Sequence, residues 1–274
     1  MPLQEAIQLK KVIVHETKEV NELAIENISS DVDVFVQGGD VVKGGQQDRV
    51  FTTDLILPPK SGRTPVATFC VEQGRWTKRG SEAVTIFAAS TEMIAHKDLK
   101  RAVKSGKDQT AVWAEVAAAP PPPPASSTSY QLNIESKAVV DSTSTYTRQL
   151  QPAPEKQPDA VGFVYAVNGK FSGGEVYANP ALFRAMWPKA IKAAAIEAST
   201  EPLSPKAPVF TVADANQSLT APKLEAKTDT PNKRTRTAKG ASSNIMLFES
   251  RDTAVREVQG NSSNAWLHRS YVAK

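Results

Sequence analysis

Alternating apolar and polar positions recur along this chain in short runs, and each run predicts a half-buried strand. In NELAIEN, Leu23 and Ile25 alternate with polar neighbours. In VDVFVQ, Val32, Val34 and Val36 alternate with Asp33, Phe35 and Gln37. A period of two with β-branched residues is the strand pattern. VFTTDLIL and VATFCVE read as two more strands joined by the turn residues of PPKSGR. The glycine-rich GGDVVKGGQQDR before them reads as a loop. QEAIQLKK, KDLKRAVK and DQTAVWAEVAAA read as helices, with Asp108 as N-cap of the last.

The pattern breaks at AAAPPPPPASSTS. Five consecutive prolines cannot join a helix or a sheet interior, so this stretch is expected to be extended. The Ser-, Thr-, Gln- and Pro-rich residues to about Asp159 read as a long connection holding one short helix or strand. It either separates two domains or runs over the surface of one. The division is 1–119, a β-rich half with short helices; 120–158, the proline-rich connection; and 159–274, an α+β half. The two halves are expected to pack as one domain.

Periodicity returns in AVGFVYAVNGKFSGGEVY. Asn168-Gly169 between apolar alternations predicts a hairpin, because a type I′ turn needs two residues that tolerate positive φ. In the next segment Asn179 caps a helix and Pro180 takes its first position. Leu182, Phe183, Met186, Trp187 and Ile191 form its apolar stripe, and Pro188 is expected to kink or split it. TVADANQSL reads as a short helix and TPNKRTRTAKGASS as a mobile stretch. NIMLFES, TAVREVQ and AWLHRSYV are strands. Hairpins outnumber βαβ patterns, so the expected fold class is α+β, mostly antiparallel β-sheet with several flanking helices.

Composition narrows the function classes. A net charge of +4 over 274 residues does not call for a nucleic-acid partner. There is no run of about 18 apolar residues, so no membrane span is expected. The single cysteine fits a reducing compartment, and MPLQEAIQLKKV has no apolar signal core, so a cytoplasmic location is expected. His15, His96 and His268 stand far apart and form no metal-ligand spacing. GGDVVKGG has neither the Walker spacing nor GxGxxG, and no GxSxG elbow occurs. The basic run Lys233, Arg234, Arg236, Lys239 lacks interleaved aromatics and reads as a solvated loop. No cofactor is implied, and no catalytic constellation decides whether the chain is an enzyme.

Two polar clusters remain. Asp40 precedes the first, Gly44-Gly45-Gln46-Gln47-Asp48-Arg49. The second is Cys70-Val71-Glu72-Gln73-Gly74-Arg75-Trp76. Strand alternation puts Cys70 and Glu72 on one face, Phe69 and Val71 on the other. Arg49 opens the neighbouring strand and is expected to meet Glu72 and Arg75 at a strand end. Gln47, Gln73, Arg75, Trp76 and Arg49 then make a ligand set. Two guanidinium forks suit phosphate, Trp76 offers a stacking face, and Glu72 is the candidate general base. The competing reading is structural: Glu72 pairs with an arginine and pins a turn, while Trp76 and Trp113 are core residues and Cys70 is a small buried hydrophobe.

The order GGQQDR, PVATFCVEQGRW, DQTAVWAEV, VGFVYAVNGKFSGGEVY and then FRAMWPK resembles a bacterial domain family. It is the family named for its association with ADP-ribosylglycohydrolase and rhodanese-phosphatase proteins. The similarity runs from about Ala6 to Val272. CVEQGRW is its most specific part. The resemblance implies a link to NAD and ADP-ribose metabolism and an ADP-ribose-like small-molecule partner. It carries motif positions onto Gln47, Arg49, Cys70, Glu72, Gln73, Gly74, Arg75, Trp76, Gln109 and Trp113. The proline-rich connection departs from the pattern, which implies a more helical segment there. The functions in play are therefore a nucleotide-sugar binding or processing protein and a non-catalytic structural or interaction module.

Overall fold

The computed structural model describes residues 1–104, 108–119, 128–202, 204–220, 243–249, 253–260 and 266–274. The five prolines and the basic run Lys233 to Lys239 lie outside these residues, as do most of the stretch read as mobile. The chain is an α+β protein whose sheets are antiparallel.

Six strands form the first sheet in the order β1 (Val12–Glu16), β2 (Glu22–Asn27), β7 (Thr64–Cys70), β5 (Arg49–Phe51), β4 (Asp40–Gly44) and β8 (Phe87–Met93). Its two edges meet at one end. His15 bridges Ile86, and the Glu16 N–H donates to the Thr85 carbonyl at 2.9 Å, so the sheet curls into a partly closed barrel.

Register shows which side chains face the lumen. Directly opposed residues in an antiparallel pair share a face. Val14 opposes Ile25, Leu23 opposes Val66, Phe51 opposes Thr68, Arg49 opposes Cys70, and Val42 opposes both Arg49 and Ala89. Val14, Leu23, Ile25, Val42, Phe51 and Val66 of this face belong to one buried cluster. It is plugged by Leu3 and Ala6 of α1 (Leu3–Gln8) and by the ribbon β3 (Val34–Val36) and β6 (Leu55–Leu57). The opposite face carries Val41, Val50, Phe69 and Val71. It packs on α2 (Lys97–Lys104), α3 (Gln109–Ala118), α4 (Tyr130–Ile134) and α7 (Pro180–Thr200).

The second sheet has the order β11 (Ser243–Glu249), β12 (Thr253–Gly260), β13 (Trp266–Ala273), β10 (Lys170–Tyr177) and β9 (Gly162–Val167). The β9–β10 turn has the expected backbone, with φ of 49° at Asn168 and 74° at Gly169. A Cβ at Gly169 would also run into the Pro208 carbonyl. Gly169→Ala is therefore expected to cost about 1–3 kcal/mol, from positive-φ strain plus the clash, read by urea denaturation.

Several elements depart from the sequence reading. The stretch read as a loop from Gly38 holds strand β4, because Val41 and Val42 are each buried on a different face. β3 shows no exposed face, since Phe35 packs with Tyr177 and Phe183 while Val34 and Val36 enter the barrel. The described residues of the connection up to Asp159 hold three helices: α4, α5 (Lys137–Leu150) and α6 (Ala153–Lys156). α5 is rich in Ser and Thr, which compete with helical hydrogen bonding. Here their hydroxyls bond back to carbonyls three or four residues earlier, Ser136 caps the start, and Val139 and Thr143 are buried. α7 has the expected cap, with Asn179 Oδ1 accepting from the Leu182 N–H at 2.8 Å. It runs on past Pro188 rather than splitting, because buried Met186, Trp187, Ala190 and Ile191 hold both sides. No described helix is long and apolar enough to cross a membrane.

Candidate functional site

β7 ends at Cys70, and the chain then turns through Glu72 to Trp76, with Gly74 at φ 87°. The turn is fastened by buried charge. Glu72 is 4% exposed. Arg75 Nε donates to Glu72 Oε2 at 2.7 Å, and Arg79 Nη1 lies 3.5 Å from Glu72 Oε1. Arg75 also donates to the Gly45 and Thr77 carbonyls.

Asp48 is the hub. It is fully buried, and Arg79 grips it with two bonds of 3.0 Å. Its carboxylate also accepts from Ser129 Oγ at 2.9 Å and from the Gly44 N–H at 3.0 Å, and Arg75 Nη2 stands 3.5 Å away. Arg79 reaches on to Glu82 at 2.9 Å. The structure thus brings Glu72 and Arg75 together, as the sequence indicates, and adds Asp48, Arg79 and Ser129. Asp48 was visible within GGQQDR. Arg79 and Ser129 sit in TKRG and in the segment after the prolines, where no spacing points to them.

Arg49 does not meet Glu72 through a hydrogen bond or ion pair among the described residues. Its place opposite Cys70 turns it into the barrel mouth. There Nη1 donates to Gln47 Oε1 at 3.2 Å and to Cys70 Sγ at 2.7 Å, and Nη2 lies 3.7 Å from Glu16. Burial pushes the Cys70 thiol up to about 11, against the pull of Arg49. Burial thus favours the neutral thiol at physiological pH. Gln109 clamps the Cys70 backbone from α3, accepting from its N–H at 2.8 Å and donating to its carbonyl at 2.9 Å. Gln73 and Trp76 are exposed, Trp76 at 47%. Among the described residues no group of three His, Cys, Asp or Glu side chains is arranged to hold a metal ion.

A second buried polar cluster joins the five-stranded sheet to the barrel loops. His268 Nδ1 is 2.6 Å from Asp54 and Nε2 is 2.9 Å from Glu175, and its ring stacks on Tyr177 at 4.7 Å. Tyr177 donates to Gln37, Arg256 to the Thr52 carbonyl, and Lys104 to Ser270. Burial would lower the His268 pKa, but Asp54 and Glu175 raise it to about 9. Burial would raise Asp54, but the imidazolium holds it at about 2.

These features define an α+β protein built on a curled six-stranded sheet, with a charge-pinned turn at one strand end. The chain belongs to the ARG and Rhodanese-Phosphatase-superfamily-associated Protein domain family, whose sequence model matches residues 1–272. No curated protein and no solved structure matches the chain.

Proposed function

We propose that the protein binds an ADP-ribose-type ligand at the rim of the CVEQGRW turn without processing it, and that Glu72 is scaffold and not a general base. The carrying observation is the contrast within one turn. Trp76 is about half exposed, while the Glu72 carboxylate beside it is buried with its oxygens turned to Arg75 and Arg79. A carboxylate so buried and committed to two guanidinium groups is poorly placed to take a substrate proton. Three cations, Arg75, Lys78 and Arg79, stand against Asp48, Glu72 and Glu82, so the turn has no charge excess to draw in a phosphate. Affinity then comes from an aromatic face, and base stacking is worth about 1–3 kcal/mol. Gln73 and Arg75 neighbour Trp76 in sequence, while Gln47 and Arg49 lie buried in the barrel mouth. The family name associates these domains with proteins of ADP-ribose chemistry, which selects the ligand class.

A second reading is a protein-interaction module. Val84, Ile86 and Trp76, all in the same connection, are 43%, 46% and 47% exposed, so it presents three large apolar side chains to solvent.

A thermal-shift screen separates the two. ADP-ribose, NAD and AMP are expected to raise the melting temperature of the wild type, and ribose 5-phosphate is not. Trp76→Ala is expected to abolish the rise while leaving apo stability within about 0.5 kcal/mol. Glu72→Gln is expected to lower apo stability by on the order of 2–3 kcal/mol, a figure reduced for the solvent contact of Arg75. If no nucleotide stabilises the protein, the interaction module remains. If Glu72→Gln leaves stability intact and abolishes turnover of a bound ligand, Glu72 is a catalytic base.

A further inference from the structure

The face that the five-stranded sheet turns to α2 carries polar groups in a row. Glu175 of β10 and Arg256 of β12 both oppose Ser270 of β13, so the three side chains share one face and lie side by side. Lys104, the last residue of α2, donates to Ser270 Oγ. Ser270 Oγ donates in turn to Glu175 Oε1 at 3.1 Å, and Glu175 Oε2 meets His268 Nε2 at 2.9 Å. A hydrogen-bonded chain thus runs from Asp54 through His268, Glu175 and Ser270 to Lys104. It nears solvent at the Lys104 end. There the lysine side chain is 9% exposed and Arg256 is 7% exposed, against 1% or less for Ser270, His268 and Asp54.

Two groups at that end lack the partners that buried charges normally have. Arg256 forms no ion pair among the described residues. Its Nη1 donates to the Thr52 carbonyl, while its Nε is buried without a hydrogen-bond partner. Lys104 has no carboxylate within hydrogen-bond distance, since Glu175 Oε1 stands 3.8 Å away. Burial lowers the Lys104 pKa, against the pull of Glu175 and Asp54 and with the help of Arg256 and Lys100. A desolvated lysine beside other cations is the form in which an amine acts as a nucleophile. A guanidinium N–H without a partner suits a carboxylate oxygen. One kind of molecule answers both: it has a carbonyl carbon for the amine and a carboxylate for the guanidinium.

We propose that Lys104 and Arg256 form a second site, which takes a small 2-oxo acid. Arg256 holds the carboxylate, and Lys104 forms an imine with the adjacent carbonyl carbon. The ammonium first passes a proton through Ser270 to Glu175. The freed Nζ lone pair then adds to the carbonyl carbon, the C=O π pair moves to oxygen, and that oxygen takes a proton from Nζ. The proton held by Glu175 returns through Ser270 to this hydroxyl, which leaves as water while the nitrogen lone pair closes the C=N bond. The product is a protonated imine, and no oxidant or reductant is consumed. The site is separate from the Trp76 rim and does not rest on the reading given to that rim.

Sodium cyanoborohydride reduces an imine to a stable amine, so trapping reads the step directly. The full chain is treated with pyruvate and cyanoborohydride, with hydroxyacetone, a neutral ketone of similar size, as a parallel arm. Peptide mass mapping locates the modified lysines. Pyruvate is expected to modify Lys104 at least about tenfold faster than the exposed Lys137, and faster than hydroxyacetone does. Arg256→Gln is expected to remove the preference for pyruvate while hydroxyacetone still modifies Lys104. L-Lactate has the carboxylate without the carbonyl. It is expected to slow pyruvate but not hydroxyacetone on the wild type, a readout that needs no variant to fold. Lys104→Arg keeps the charge and is expected to abolish the fast modification, and Trp76→Ala is expected to leave it unchanged. Wild-type Lys104 modified no faster than Lys137 overturns the proposal. So do equal rates with the two ketones, or lactate without effect on pyruvate. Failure of nucleotides to bind at Trp76 leaves it standing.

Discussion

His268→Ala is expected to destabilise the protein by about 3–5 kcal/mol near neutral pH, the cost of breaking a buried ion pair from one side. Both ring nitrogens face carboxylate oxygens, Asp54 at 2.6 Å and Glu175 at 2.9 Å. Ionised carboxylates only accept, so the ring must donate from both nitrogens and carry its charge. Removing it leaves two buried carboxylates with Lys104, Lys100 and Arg256 as nearby positive charges.

The pH dependence has a definite sign. The folded pKa of His268, about 9, exceeds its ordinary 6.5. Its contribution is fully present below about 6.5 and is lost as pH rises through 9, because the folded state holds a proton the unfolded chain releases. Asp54 runs the other way. Its folded pKa of about 2 lies below 3.8, so its share is present above 3.8 and lost as pH falls through 2. Urea denaturation of the wild type should therefore show stability falling between pH 7 and 9. His268→Ala should lack that fall and gain stability on acidification, as its unpaired carboxylates take up protons. Equal pH profiles for the two proteins would remove the imidazolium from this account.

That cluster was not legible in the sequence, and the reason is physical. Asp54, Glu175 and His268 come from a barrel loop and from two strands of the other sheet. A lone histidine in AWLHRSYV has no local partner to announce it. What was legible rests on short-range geometry. Asn168-Gly169 turns because both residues accept positive φ, and Asp108 and Asn179 cap helices through bonds made three residues on. Alternation placed Cys70 on the face opposite Phe69 and Val71, while its pairing with Arg49 was not read from the sequence. Elements whose burial depends on distant partners were missed. β8 is built from FAASTEM, whose small residues give no alternation, and it is a strand because β4 pairs with it. α5 is a helix because hydroxyls, a cap and α7 compensate for poor propensity. The candidate site was half legible. Glu72 and Arg75 lie three residues apart and meet, while Arg79, Ser129 and Glu16 reach the site from segments with no readable spacing.

The charge-pinned turn carries the second large effect. Asp48→Ala is expected to cost about 3–5 kcal/mol, toward the lower end because Arg79 retains Glu82 and some contact with water. The substitution removes more than one pair. Ser129 Oγ loses its 2.9 Å acceptor, the Gly44 N–H loses a 3.0 Å acceptor, and both are buried. A buried donor left without a partner, here the Gly44 N–H, costs about 1–3 kcal/mol. Asp48→Asn keeps an acceptor for one of them and is expected to cost less. Arg79→Ala strips two bonds from a carboxylate that has no exposure, so it too should destabilise, and the two losses share one interaction. A double-mutant cycle on Asp48→Ala and Arg79→Ala is therefore expected to give a coupling of roughly 1–3 kcal/mol, since residues in direct contact are not additive. The turn above them should loosen together, with amide exchange rising from Val71 to Trp76 because the Val71 N–H donates to the Asp48 carbonyl. If the cycle is additive and exchange in the turn is unchanged, backbone geometry alone holds CVEQGRW in place. The buried charges of Asp48 and Glu72 would then be left without a scaffolding role, and the case for Glu72 as a working base would reopen.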